Sequence, residues 1–255
     1  MTEISASSTA LRLRALTPAR VGLSRTGVSQ QTREQLAFQQ AHALARDAVH
    51  ARMETAALAE GLRKISGGEV VRLHSMAADR PTYLQRPDLG RQLDERSRTA
   101  LIGASSDAFD LAIVVADGLS ALAVERHAAA LLRELRPRLE EWRLAPLCVV
   151  EQGRVAIGDE IGAILNAQLC IVLIGERPGL SAPDSLGAYV TWAPRVGRTD
   201  AERNCVSNIR AEGLSYAQAA APLFFYLTEA RRWMLTGVAL KESSQRIGGE
   251  ATCCS

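Results

Sequence analysis

The stretch LCIVLIGERPGLSAPDSLG, residues 169–187, decides the fold. Six apolar residues run into a glycine, and then a Glu-Arg pair, two prolines and two further glycines pass before any regular pattern returns. A short run that is apolar at every position is a strand buried on both faces, as in parallel α/β sheets. Two earlier runs have the same texture, LAIVVA at 111–116 and APLCVV at 145–150. Helical spacing separates them: 121–135 follows the turn DGLS, and EQGRVAIG leads into DEIGAILN, a helix whose N-terminus Asp159 is placed to cap. AYVTWA, 188–193, fits a fourth strand, and 215–240 reads as one long amphipathic helix. Ligands in such sheets sit outside the carboxyl ends of the strands, so loops 117–120, 153–158 and 175–187 converge on one crevice.

The N-terminal part reads differently. Residues 1–28 are rich in Ser, Thr, Arg and Ala without periodicity, which predicts a flexible arm. Thr32 followed by Gln35 resembles a capping box, and Phe38, Ala41, Ala45, Val49, Met53 and Ala56 repeat at spacings of three and four along one helix face. Gly67, Gly68, Pro81, Pro87 and Gly90 break 62–100 into turns around short pieces. The chain therefore divides into an arm (1–28), a small helical N-terminal domain (29–100) and an α/β parallel-sheet domain (101–255).

Thirty basic residues against twenty-eight acidic ones leave a net charge of +2, too even for a nucleic-acid surface built on phosphate neutralisation. No apolar window approaches the roughly 20 residues that cross a bilayer, and the first twenty residues carry no secretory apolar core, so a cytoplasmic protein with no membrane partner is expected. Five cysteines, two of them (Cys148, Cys170) inside strand-like runs, fit a reducing compartment better than a disulfide framework. Cys253 and Cys254 read as exposed thiols.

The chemistry is mostly exclusions. There is no G-x-G-x-x-G after a strand, no phosphate-binding G-x-x-x-x-G-K-[ST] and no G-x-S-x-G elbow. His42, His50, His74 and His127 are scattered, with no partner at metal spacing, so no metal ligands and no catalytic residues are assigned. What remains is a rim of backbone amides, polar side chains and apolar positions, suited to holding a large neutral ligand.

Six segments in order carry a resemblance: LTPARVGLSRTG, YLQRPDLGRQL, VVADGLSALAVERHA, QGRVAIGDEIGAIL, IGERPGLSAPDSLGAYVTWAPR and TDAERNCVSNIR. Together they resemble the small (light) subunit of ethanolamine ammonia-lyase over about residues 16–221. The resemblance implies a helical segment followed by a Rossmann-like domain. It also implies a hetero-oligomer of higher order, in which a large barrel subunit binds substrate. Adenosylcobalamin lies between the two subunits, and its adenosyl radical converts ethanolamine to acetaldehyde and ammonia. Carried over by motif, cofactor contacts fall on Val155 in QGRVAIG, Glu176 in GERPG and Cys205 in ERNCVSNI, with Arg154 as a further candidate. None of the four histidines has the Asp-x-His-x-x-Gly surrounding that replaces the lower cobalt ligand, so the dimethylbenzimidazole is expected to stay on cobalt. Location inside a protein-shelled microcompartment and preference for a longer amino alcohol are left open. The competing reading is a non-catalytic α/β scaffold or a stand-alone binding protein.

Overall fold

The computed structural model describes residues 12–240, apart from 14, 18, 19, 24 and 105–107. Two short strands, β1 (Arg25–Thr26) and β2 (Ser29–Gln30), pair only with each other. Six more form one sheet: β3 (Val70–His74), β4 (Phe109–Ala116), β5 (Leu147–Glu151), β6 (Ala167–Gly175), β7 (Leu186–Trp192) and β8 (Arg203–Ile209), in the order β3-β5-β4-β6-β7-β8. The helices are α1 (Thr32–His50), α2 (Thr55–Ser66), α3 (Arg80–Gln85), α4 (Glu95–Ala104), α5 (Ala121–Leu135), α6 (Ile157–Ile164) and α7 (Tyr216–Trp233).

The three apolar runs are the central strands β4, β5 and β6, and their uniform hydrophobicity follows from burial on both faces. On β4, Leu111, Ile113 and Val115 enter one core with residues of α2, α5 and α7. The alternating Ala112, Val114 and Ala116 enter a second core with residues of α4 and α6. Each buried Val, Leu or Ile contributes about 1.5–3 kcal/mol, which keeps both faces apolar from Leu111 to Ala116. The fold is thus α/β and Rossmann-like, as expected. The helix after β4 and the helix after β5 pack on opposite faces, so their connections part at the sheet's carboxyl edge, where ligands bind in such folds.

The sheet is mixed rather than wholly parallel. β3, β5, β4 and β6 are parallel, but β7, which contains the predicted fourth strand, runs antiparallel to β6. The ten-residue connection 176–185 is shorter than the dozen or more residues a parallel crossover needs, so β7 must turn back. Antiparallel β8 completes this edge. Its sequence RNCVSNI mixes polar and apolar residues and gave no strand signal.

The segment read as helical and broken is also corrected. Residues 70–74 form β3, hydrogen-bonded to β5 along its whole length, so part of 29–100 belongs to the sheet. As an edge strand β3 is only partly buried and needs no continuous apolar run.

Four further helix readings change. Gln31, not Thr32, is the N-cap of α1, and no side-chain cap bond forms. The face drawn from Phe38 to Ala56 is interrupted at 51–54, where later parts of the chain take over the freed backbone groups. Arg80 Nε donates to the Val49 carbonyl at 2.7 Å, and Glu125 accepts from the Glu54 N–H at 2.6 Å. Asp159 does not cap α6 but lies in its first turn, buried against Arg203. The last helix starts at the expected Ser215, with a capping box to Gln218, but stops at Trp233. Beyond it Thr236 donates to the Glu202 carbonyl at 2.6 Å and the Gly237 N–H to Asn204 at 2.8 Å. No helix among the described residues is long and apolar enough to cross a membrane. Cys253, Cys254 and the first eleven residues of the predicted arm lie outside the described residues.

Candidate functional site

The loops at the carboxyl ends of β4, β5 and β6 bound an open cleft of about 420 Å³. Val155 and Glu176 line it, as do Arg154, Arg177, Tyr83 and Tyr189. A larger cavity of about 520 Å³, lined by Phe109, Trp142 and Leu147, lies where strands begin and contains none of the predicted residues.

Two glycines let the cleft's backbone close up. The Leu119 N–H donates to the Gly175 carbonyl at 2.9 Å. A Cβ on Gly175 would stand 2.0 Å from the Ser120 carbonyl oxygen, and Gly118 adopts φ +58° with its would-be Cβ 2.3 Å from the Gly175 oxygen. Ser120 ties this pair to the lip. Its hydroxyl accepts from the Ala123 N–H as the cap of α5 and donates to the Pro183 carbonyl at 2.9 Å.

Beneath the cleft lies a buried charge layer. Asp117 accepts from the Gly153 N–H at 3.0 Å and faces Arg80 Nη1 at 3.5 Å, while the same nitrogen donates to the Gly118 carbonyl at 2.7 Å. Burial pushes the Asp117 carboxyl up to about 6, outweighing Arg80 and the backbone donors. Because the folded value lies above the ordinary 3.8, the stabilisation is complete below pH 3.8 and is lost as pH rises through about 6. Urea unfolding of wild type should therefore weaken between pH 4 and pH 6.5 relative to Asp117→Asn. A flat difference across that window would show that Asp117 titrates as an ordinary carboxylate.

Glu176 opens the lip. Its Oε2 accepts from the Ser185 hydroxyl and from the Asn208 N–H at 3.1 Å, and no bond falls on Oε1 among the described residues. These partners, rather than Arg177 or Arg195, hold the carboxylate. A Cβ on Gly187 would approach Oε1 to 2.9 Å, so glycine there leaves the carboxylate its room.

On the opposite wall, the Tyr83 ring is contacted by two guanidinium groups, Arg154 at 4.2 Å and Arg80 at 4.8 Å from its centroid. The Tyr83 hydroxyl donates to the Gly153 carbonyl at 3.1 Å, and burial raises its pKa. Cys205 is not in the lining. It is half-buried on β8, paired across the ladder with Tyr189, whose hydroxyl is raised by burial first and by the Cys205 thiol second. The structure thus brings Val155, Glu176 and Arg154 to one cleft, and reaches Cys205 through Tyr189. Tyr83, Tyr189, Ser185 and Asn208 were not singled out in the sequence. The only signal for Tyr83 was its place in YLQRPDLGRQL.

Comparison with known proteins gives the family. The family described as ethanolamine ammonia-lyase light chain (EutC) matches residues 7–241. The ethanolamine ammonia-lyase small subunit of Pseudomonas aeruginosa (strain LESB58) is 57% identical over 256 residues, covering 98% of this chain and 93% of that protein. The subunit of the same name from Azotobacter vinelandii is 58% identical over 239 residues, covering 92% and 88%. That from Pseudomonas syringae pv. tomato is 55% identical over 240 residues, covering 92% and 83%. With a match along nearly its whole length, this chain belongs to the ethanolamine ammonia-lyase light chain family.

Proposed function

We propose that this chain is the small subunit of an ethanolamine ammonia-lyase, a carbon–nitrogen lyase that releases ammonia and acetaldehyde from ethanolamine. In this reading the cleft is its half of an adenosylcobalamin site. The observation that carries it is the meeting of Val155 and Glu176, 21 positions apart in the chain, in one cleft at the sheet's carboxyl edge.

The residues suit such a group. A corrinoid is rimmed by amides, and Glu176 Oε1 is available to accept from one while Oε2 is held by Ser185 and Asn208. Val155 offers apolar surface and backbone. Cys205 acts through Tyr189. A volume of about 420 Å³ cannot enclose a corrinoid and its nucleotide tail, so the open side is where a large subunit, itself the holder of substrate, completes the site. When bound, the group supplies a weak cobalt–carbon bond whose homolysis starts radical chemistry. This chain positions it and helps exclude water.

A partner also accounts for apolar surface on α1, where Leu36 is 59%, Phe38 41% and Leu44 53% exposed. The chain then works in a cytoplasmic hetero-oligomer, with α1 in the subunit contact.

The test is cofactor affinity in the complex co-expressed with a large subunit. Glu176→Ala is expected to assemble normally yet require about tenfold more adenosylcobalamin, the scale of one hydrogen bond to a charged group. Cys205→Ala should raise the requirement less. An unchanged requirement in both variants would reduce this chain to a scaffold.

A further inference from the structure

Among the described residues Arg154 is a cation without an acid. No ion pair within 4 Å among those residues includes it, and its Nε is buried with no hydrogen-bond partner. Its neighbour on the Tyr83 ring, Arg80, is matched by Asp117 at 3.5 Å. The acid that lines the cleft, Glu176, is turned to Ser185 and Asn208, and Arg177 adds a second positive group to the lining. The Tyr83 wall of the cleft therefore carries, among the described residues, a positive charge with no acid against it.

Arg154 is also held in place before anything binds. Its backbone N–H donates to the Gly90 carbonyl at 2.7 Å, its Nη2 to the Tyr83 carbonyl at 3.1 Å, and its guanidinium stacks on the Tyr83 ring. Gly90 makes room, since a Cβ there would lie 2.9 Å from Arg154 Cγ. A planar, stacked guanidinium with unused N–H groups suits an oxyanion with several acceptor oxygens and a fixed charge, which describes a phosphate ester better than an amide or a hydroxyl.

We propose that Arg154 binds a phosphodiester of the molecule that occupies the cleft. The proposal rests on the cofactor reading above, and in adenosylcobalamin the group is the phosphodiester joining the corrin side chain to the nucleotide tail. Arg154 thereby sets the end of the cleft at which the tail lies, with Glu176 on the corrin amides.

The experiment compares two corrinoids on the assembled complex, adenosylcobalamin and adenosylcobinamide, which ends before the phosphodiester, by equilibrium dialysis. Arg154→Gln is expected to weaken adenosylcobalamin by about 10- to 100-fold, as for lost hydrogen bonds to a charged group, and to leave adenosylcobinamide unchanged. Arg154→Lys keeps the charge but not the fork and should recover part of the loss. As a second measurement, inorganic phosphate should compete with adenosylcobalamin in the wild-type complex and lose that effect in Arg154→Gln. Equal weakening of both corrinoids, or none, together with unaltered phosphate competition, overturns the assignment of Arg154. If Glu176→Ala and Arg154→Gln both leave both corrinoids unaffected, the cofactor reading of the cleft falls with it.

Discussion

Arg203→Met is expected to destabilise the chain by about 3–5 kcal/mol, the scale of breaking a buried ion pair from one side. Arg203 and Asp159 side chains are each 2% exposed, and the guanidinium meets the carboxylate with two parallel bonds of 2.7 Å. The same guanidinium donates to Thr191 Oγ1 at 2.9 Å and to the Arg198 carbonyl at 3.1 Å, so one side chain ties α6, β7 and β8 together. Methionine fills similar volume but leaves the Asp159 carboxylate buried and unpaired, and that residual charge is the source of the loss. Replacing both partners, Arg203→Met with Asp159→Leu, should recover much of it, because a buried pair and a hydrophobic substitute of like volume are often close in energy. Urea unfolding followed by tryptophan fluorescence reads both, with Trp192 at the end of β7 as a local reporter. A double variant no more stable than Arg203→Met would show that the stray carboxylate is not the cause.

Gly175→Ala is the second large effect, expected to cost about 3 kcal/mol or more as overpacking against groups that cannot rotate away. The added methyl would stand 2.0 Å from the Ser120 oxygen and 2.6 Å from the Asp117 oxygen, both main-chain atoms. Relief requires moving 117–120, the segment that caps α5 and carries Gly118. The cleft then loses its floor, so under the proposed function adenosylcobalamin binding by the assembled complex should fall with stability. Gly179→Ala, in the same lip, meets nothing nearer than 3.9 Å and should change stability by less than about 0.5 kcal/mol. Comparable urea midpoints for the two variants would contradict the close approach of the two loops.

Much of the fold around the cleft was legible before the structure. The apolar runs that became β4, β5 and β6 are unbroken because both faces are buried, and the loops that follow them are marked by glycine, proline and aspartate. Val155, Glu176 and Arg154, in those loops, were singled out only through the resemblance of their segments to the ethanolamine ammonia-lyase small subunit. Tyr83 was not singled out, because it comes from α3, a segment whose prolines and glycines read only as turns, and it reaches the cleft through contacts with Gly153 and Arg154, 70 and 71 positions away. Ser185 and Asn208 look like ordinary loop and edge-strand residues until Glu176 is seen between them.

Local pattern by itself determined the α/β class, the three central strands, the starts of the helices at 121 and 215, and the edge of the sheet that holds the loops. These rest on interactions within a few residues or on burial that leaves a continuous apolar mark. Only the tertiary structure decided that β3 and β8 belong to the sheet, that β7 runs backwards, that Asp159 serves Arg203 rather than a helix end, and that Arg154 stacks on Tyr83 with no ion pair among the described residues. Those outcomes join residues tens of positions apart, and an edge strand or a buried charge takes its energy from partners that nothing in its own neighbourhood announces.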